Sequence, residues 1–264
     1  MLKGVLHIHS TYSDGDFTLE ELRDTFIRDG CRFACITDHA DWFDATSLDA
    51  YRQECAARSD ARFQFIAGLE YGCANRLHIL GYGTTTPVGS TDAPEVIRRI
   101  QGSGGIAVIA HPKDEAFAAI EAFDPPPDGI ETWNTKYDGR YGARPSTFAL
   151  LTRMKARRRT MTAFYGQDLH WRTQYRGMFT CVHADRLHPG AILEALRRGD
   201  YYGLKDGDRL PSTGELPAAV LARLARGNAR SQRLRGWARR AKLWSDGVGL
   251  SVPGALKAQL RRIF

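Results

Sequence analysis

The sequence predicts an α/β chain folded as a closed or nearly closed (β/α) barrel, and three observations predict it. Apolar, β-branched strands alternate with amphipathic helices about seven times over residues 1–205. The exceptional polar residues, histidines and carboxylates, sit at strand ends, where a barrel carries its active site. They come from at least six separate segments, whereas a doubly wound open sheet gathers its site at one switch point.

Val5, Leu6 and Ile8 give the first strand its buried character, and His7 and His9 interrupt it at i and i+2. Side chains alternate across a strand, so both imidazoles are expected on one face. Neutral imidazole is a borderline ligand suited to zinc, manganese or iron. Taken alone, such a pair reads equally well as two half-buried histidines. Ser13-Asp14-Gly15 is a turn able to bring a carboxylate back to the same place.

Thr18-Leu19-Glu20-Glu21 is a capping box, and Leu19, Leu22, Phe26 and Ile27 form one helical face ended by Gly30. Phe33 to Asp38 is a strand delivering His39. A polar helix over about 47–58 leads to a strand from Phe63 that ends on Glu70. Leu77 to Tyr82 follows after a short turn, with His78 inside it. A helix over 93–103 precedes Ile106 to Ala110 and the pair His111-Pro112. Pro125-Pro126-Pro127 makes a stiff loop. Gly129 to Asn134 is a strand followed by a basic loop with Lys136, Arg140 and Arg144. A helix over about 145–158 leads to Met161 to Phe164, and Asp168 and His170 repeat the i, i+2 spacing. Phe179 to Val182 is the last strand of the body and 191–198 its last helix.

Composition is that of an ordinary soluble globular protein, 43% hydrophobic and 25% charged. No apolar run is long enough to span a bilayer, and the chain opens directly on a strand without a signal peptide, so a cytoplasmic location is expected. Five cysteines, with no C-x-x-C pair, argue against a disulfide framework. The net charge of +7 is unevenly placed: residues 206–264 hold 12 Lys and Arg against 4 acids, while residues 1–205 are nearly neutral. Two regions are therefore expected, a barrel over 1–205 and a basic, partly amphipathic helical tail over 206–264. In that tail 216–244 reads as a basic helix, broken near Gly227-Asn228, with Leu234, Trp237, Ala241 and Trp244 on one stripe. Such a stripe packs on the barrel, lies on an anionic membrane surface as a peripheral contact, or meets nucleic acid.

The set of motifs resembles the PHP (polymerase and histidinol phosphatase) domain family. His7-Ile8-His9 with Ser13-Asp14-Gly15 resembles its first motif, Ile36-Thr37-Asp38-His39 its second and Ala110-His111-Pro112 its third. Gly68-Leu69-Glu70 resembles the segment carrying its glutamate, His78-Ile79-Leu80-Gly81 its His-aliphatic-Leu motif and Asp168-Leu169-His170 its closing Asp-X-His. The resemblance covers about residues 1–205 and implies a distorted (β/α)7 barrel with two or three divalent zinc, manganese or iron ions. It implies His7, His9, Glu70 and Asp168 around one metal, Glu70 bridging to a second held by His78 and His111, and Asp14, His39 and His170 around a third. It also implies a phosphoester hydrolase, phosphatase or phosphodiesterase, in which a metal-bridging hydroxide attacks phosphorus, with Glu70, Asp168 and His170 nearest the chemistry.

Nine ligands for three metals leave open positions, which suits catalysis. A phosphorylated small molecule or nucleotide is the expected substrate, and Lys136, Arg140, Arg144, Lys113 and Arg172 are the candidate phosphate contacts. A metal-dependent hydrolase of a non-phosphate bond, amidohydrolase-like, is the alternative. A non-catalytic metal-binding module is the third reading, and the complete ligand set argues against it.

Overall fold

The computed structural model of the chain describes residues 1–247, so 248–264 of the expected tail lie outside the described residues. Among the described residues ten strands form one sheet in the order β10-β9-β8-β1-β2-β3-β4-β5-β6-β7. The first half runs β1 (Leu2–Ile8), α1 (Leu19–Arg28), β2 (Phe33–His39), α2 (Ala45–Ala57), β3 (Gln64–Cys73), β4 (Leu77–Tyr82), α3 (Ala93–Gly102) and β5 (Ile106–Ala110). Next come α4 (Phe117–Glu121), β6 (Gly129–Asn134), α5 (Pro145–Lys155), β7 (Thr162–Gly166), β8 (Phe179–Val182) and α6 (Pro189–Arg198). The chain then forms β9 (Tyr201–Lys205), β10 (Asp208–Pro211) and α7 (Ala218–Gly247).

The capping box forms as the spacing predicts: Thr18 Oγ1 accepts from the Glu21 amide, and Glu21 returns a carboxylate oxygen to the Thr18 amide at 3.0 Å. The barrel nearly closes just beyond β7. There Leu169 bridges in parallel to Ile8, its amide donates to the His7 carbonyl at 3.2 Å, and its carbonyl accepts from the His9 amide at 2.9 Å.

Strict β/α alternation fails at β4. Only residues 74–76 separate it from β3, too few for a parallel crossover, so β4 runs antiparallel to both β3 and β5. The reversal has a use. His78 lies near the start of β4, opposite Gly72 of β3 and Ala110 of β5, so a residue at a strand's beginning joins others at strands' ends.

Two apolar clusters alternate along the strands. Phe33, Cys35, Ile66, Leu80, Val108 and Phe164 pack with Ile192, Ala195 and Leu196 of α6. Ala34, Ile36, Phe65, Leu69, Ile109 and Ile130 pack in the other cluster with Leu22 and Phe26 of α1 and Ile97 of α3. His39, Glu70 and His78 continue the first series by parity of two, which is how the strand pattern aims them at a common centre.

Two corrections concern the tail. The expected boundary at 205/206 falls inside the β9–β10 hairpin, and Leu210 of β10 is fully buried, so the sheet continues to Pro211. The helix expected to break near Gly227 is one continuous α7. Gly227 stands there because the Tyr141–Gly142 backbone lies so close that a β-carbon would collide with the Tyr141 carbonyl.

Candidate metal centre

All nine residues singled out as candidate ligands meet at one end of the barrel. His7 and His9 converge with ring centroids 5.3 Å apart, but not by simple alternation. Val5 and Ile8 belong to the cluster that packs on the helices and Leu6 to the one inside, so regular alternation would send His7 outward. A bulge at His7, with φ of +59° and a register shift against β2 between Leu6 and Ile8, turns it inward beside Leu6. His111 (φ +28°) and Asp168 (φ +51°) also occupy left-handed backbone. Three of the nine therefore sit in conformations that cost energy and persist where the surroundings over-determine them.

Glu70 is the hub. Its Oε1 lies 2.7 Å from His78 Nδ1 and 3.2 Å from His111 Nε2, and its Oε2 lies 3.1 Å from His9 Nε2 and 3.4 Å from His7 Nε2. Asp168 stands 3.8 Å from both His7 and His9 and 3.1 Å from His170. Asp14 lies 3.2 Å from His170 and 3.6 Å from both His39 and His9. Three ligand groups with donor atoms within 4.8 Å of one another follow: His9, Asp14, His39 and His170; His7, His9 and Asp168; His7, Glu70 and His111. The geometry departs from the implied ligand sets in three places: His9 turns Nε2 to Glu70 and Asp168 and Nδ1 to Asp14, Glu70 groups with His7 and His111, and His78 stands outside the three groups, against Glu70.

The donor set fits divalent cations. Six imidazoles and three carboxylates are oxygen and nitrogen donors of the right hardness for zinc, manganese or iron. His7 Nε2 and both ring nitrogens of His9 are buried without any hydrogen-bond partner, a cost that coordination would remove. Burial pushes His9 down to about 3, so its imidazole is neutral and keeps a lone pair. Burial alone would raise Glu70 and Asp168, but His7, His111 and His78 around the first, and His7 and Lys136 beside the second, hold both well below the usual carboxylate range.

The ligands are themselves held. Glu131, buried on β6, accepts from His7 Nδ1 at 2.8 Å through Oε1, and from the His111 amide and Asn134 Nδ2, each at 2.9 Å, through Oε2. One carboxylate thus fixes the ring of His7 and the backbone of His111. Gly166 makes room for it, since a β-carbon there would collide with Glu131 Oε1. Asp38 accepts from the Ser10 amide at 2.7 Å and from the Ser13 hydroxyl at 2.6 Å, which pins the loop that presents Asp14.

The profile of the PHP domain family matches residues 6–185, more than half of the chain. The chain belongs to the PHP domain family. A 77-residue stretch, 26% of the chain, is 36% identical to the DNA polymerase/3'-5' exonuclease PolX of Bacillus subtilis, of which it spans 14%. Among solved structures, the chain resembles a two-domain protein from Bacteroides vulgatus described as containing a predicted PHP-like metal-dependent phosphoesterase. The TM-score is 0.60 at 19% identity, over 77% of this chain and 64% of that one. A putative metal-dependent phosphoesterase from Bifidobacterium adolescentis aligns at a TM-score of 0.48 and 18% identity, over 74% of this chain and 96% of that one.

In this PHP domain the five cationic residues expected to meet phosphate part ways. Lys136 reaches the centre, with Nζ 3.0 Å from Asp168 Oδ1 and 3.2 Å from the His170 ring nitrogens. Lys113 lies with His111 and Arg76 along a cleft of about 370 Å³. Arg140 is exposed and lies over the Tyr141 ring. Arg144 is a correction: its guanidinium binds Asp138 at 2.7 Å, Asp114 at 2.8 Å and the Pro112 carbonyl, so it ties loops together and is not free for a ligand. Arg172 is another, pairing with Glu21 at 2.6 Å and with the Asp16 carbonyl at 3.0 Å over the Phe17 ring.

Sequence reasoning missed Glu131, Tyr137 and Arg76. Tyr137 packs on the His111 ring with centroids 4.3 Å apart while 39% exposed, which puts an aromatic surface at the mouth. A carboxylate inside the apolar run Gly129 to Trp133 was the available signal for Glu131, because a charge buried in a strand needs a partner.

Proposed function

We propose that this PHP domain is a metal-dependent phosphoester hydrolase, and one observation carries the reading. Nine nitrogen and oxygen donors meet at the barrel mouth around buried imidazole nitrogens that form no hydrogen bond. His7, Glu70, His111 and His78 would hold one part of the centre, His9 and Asp168 its middle, and Asp14, His39 and His170 its other side. Divalent ions bound there would supply Lewis acidity, a water nucleophile activated at neutral pH and charge neutralisation on phosphoryl oxygens. Supporting the phosphate assignment are Lys136 beside Asp168 and His170, and Arg76 with Lys113 in the cleft that begins at His111.

The protein's own groups perform the rest. Exposure rises from His7 and His9, fully buried, to Asp14 at 39%, so substrate enters from the side of Asp14, His39 and His78. Lys136 places one positive charge where a phosphate oxygen gains negative charge in the transition state. Burial opposes a proton on His170, yet its hydrogen bonds to Asp14 and Asp168 lift it to about 9. A divalent ion held by His170 would take the place of that proton, and Lys136 stands beside it.

The test is a panel of phosphomonoesters, phosphodiesters and amides assayed after chelation and again with manganese or zinc added. Hydrolysis of a phosphoester that vanishes with chelator and returns with metal is the expected result. Metal-restored hydrolysis of amides alone would overturn it in favour of amidohydrolase chemistry.

A further inference from the structure

Helix α7 has two faces with different partners. On the inward side Leu224, Asn228 and Ser231 are buried; Asn228 Nδ2 donates to the Asp138 carbonyl at 2.6 Å and Gln232 Nε2 to the Tyr137 carbonyl at 3.0 Å. Arg235 donates to the Lys136 carbonyl at 2.7 Å and to the Tyr137 carbonyl. At 100° per residue, the line through Arg226, Arg233, Trp237 and Trp244 lies roughly 180° from that inward side. Arg230 and Arg240 flank it.

This outward line combines two features that water disfavours together with one that an acidic surface favours. Trp237 is 71% exposed and Trp244 67%, with Leu234 at the edge 40% exposed. Arg226, Ala229, Arg230, Arg233, Leu234 and Trp237 line one open depression on it. Arg226, Arg230 and Arg233 form no ion pair among the described residues, whereas Arg223, a turn earlier, pairs with Asp208 at 2.8 Å. Residues 218–247 hold seven arginines and one lysine against one aspartate, while residues 1–205 are nearly neutral. No helix among the described residues is long and apolar enough to cross a membrane.

We propose that the outward face of α7 is a docking surface for an anionic phospholipid bilayer, on which the helix lies flat. Arginine guanidinium groups meet acidic headgroups, each attracted by the negative surface potential, while the two tryptophans settle at the headgroup boundary where an amphipathic ring is most stable. The stretch from Arg226 to Trp244 extends roughly 27 Å at 1.5 Å per residue, long enough to lay both rings in one plane. Duplex nucleic acid would satisfy the arginines but has no apolar layer for two coplanar tryptophans to enter.

The test uses the full chain with sedimented vesicles of phosphatidylcholine, alone or with about a third phosphatidylglycerol. Binding to the acidic vesicles only, with a blue shift in tryptophan emission, is expected, weakening on going from about 50 to about 500 mM salt. R230A/R233A should lose roughly fivefold in affinity per arginine. W237S/W244S should abolish the blue shift, and both variants should keep the parent melting temperature and phosphoesterase rate. Three results would overturn the proposal: no binding to acidic vesicles at low salt, equal binding to neutral ones, or tighter binding to an oligonucleotide that the same variants abolish. A large drop in melting temperature for either variant would make the stripe structural and overturn it as well.

Discussion

The strand ends of the barrel and the loops just beyond them carry similar charged residues to different fates. At and just beyond the strand ends, nine of nine candidate ligands converge: His39, Glu70 and His78 by strand parity, His7 by a bulge, and Asp14 from a loop that Asp38 pins. In the loops, Lys136 reaches the centre, while Arg144 and Arg172 are consumed by Asp138, Asp114, Glu21 and nearby carbonyls. A strand end has one direction to point. A long guanidinium on a loop goes to whichever carboxylate or carbonyl the fold leaves unsatisfied, and that partner lies 6 to 156 residues away in the chain.

The largest expected effect tests the first half of this contrast. Glu70→Gln weakens contacts to His7, His9, His78 and His111 together, so metal content should fall and activity should drop by at least about a hundredfold. Elemental analysis beside a phosphoesterase assay checks it. Full metal content with full activity would show that the hub is not a ligand.

Glu131→Gln comes next and asks whether the strand ends need a second layer. With the carboxylate gone, His7 loses its charged acceptor and Asn134 its partner, so metal affinity should fall roughly 10–100-fold. Activity should recover at saturating manganese, which separates weakened metal binding from a broken fold. Titrating activity against free metal gives the answer.

These two residues also mark what was legible in the sequence. Glu70 announced itself through a local motif, as did the other eight, and about seven alternations gave the barrel. Glu131 did not, because its meaning depends on Gly166 leaving space and on the bulge that turns His7 toward it. The same holds for β4: three intervening residues were visible, but the reversal matters only through the register that carries His78 opposite Ala110. The α7 stripe was legible as a pattern, while its outward direction was not, since a helix packs by whichever face finds partners. Here the partners are backbone carbonyls of the Lys136–Gly142 loop, met by Asn228, Gln232 and Arg235, so the tryptophans turn away.

Lys136→Met and Arg144→Met sharpen the comparison inside the loop. Lys136 touches the centre, so its loss should raise KM for a phosphoester roughly tenfold while the melting temperature stays put. Arg144 instead satisfies the buried Asp138, and removing it should cost about 1–3 kcal/mol. For a chain of this size that is a drop of roughly 2–4 °C per kcal/mol, read by thermal melting. Reversed results, a melting loss at 136 and a KM effect at 144, would undo the division drawn between the two.

The smallest effect concerns Arg235, which stands outside the barrel and reaches the chemistry only through the loop. Its guanidinium holds the carbonyls of Lys136 and Tyr137, the two residues whose side chains stand against His170 and His111. Arg235→Met keeps the stem of the side chain and removes those donors. The loop retains Asn228 and Gln232, so it should shift without detaching. A misplaced Lys136 ammonium binds phosphate less well but leaves every metal ligand in place, so KM should rise roughly threefold with kcat within about twofold. Arg235→Lys should recover part of the loss, because one ammonium can still donate to one carbonyl. Arg140→Ala is the control, an exposed arginine of the same loop that lies over the Tyr141 ring, and it should leave both constants unchanged. If Arg140→Ala matches or exceeds Arg235→Met, phosphate is met by the loop's exposed edge, and α7 has no part in positioning Lys136.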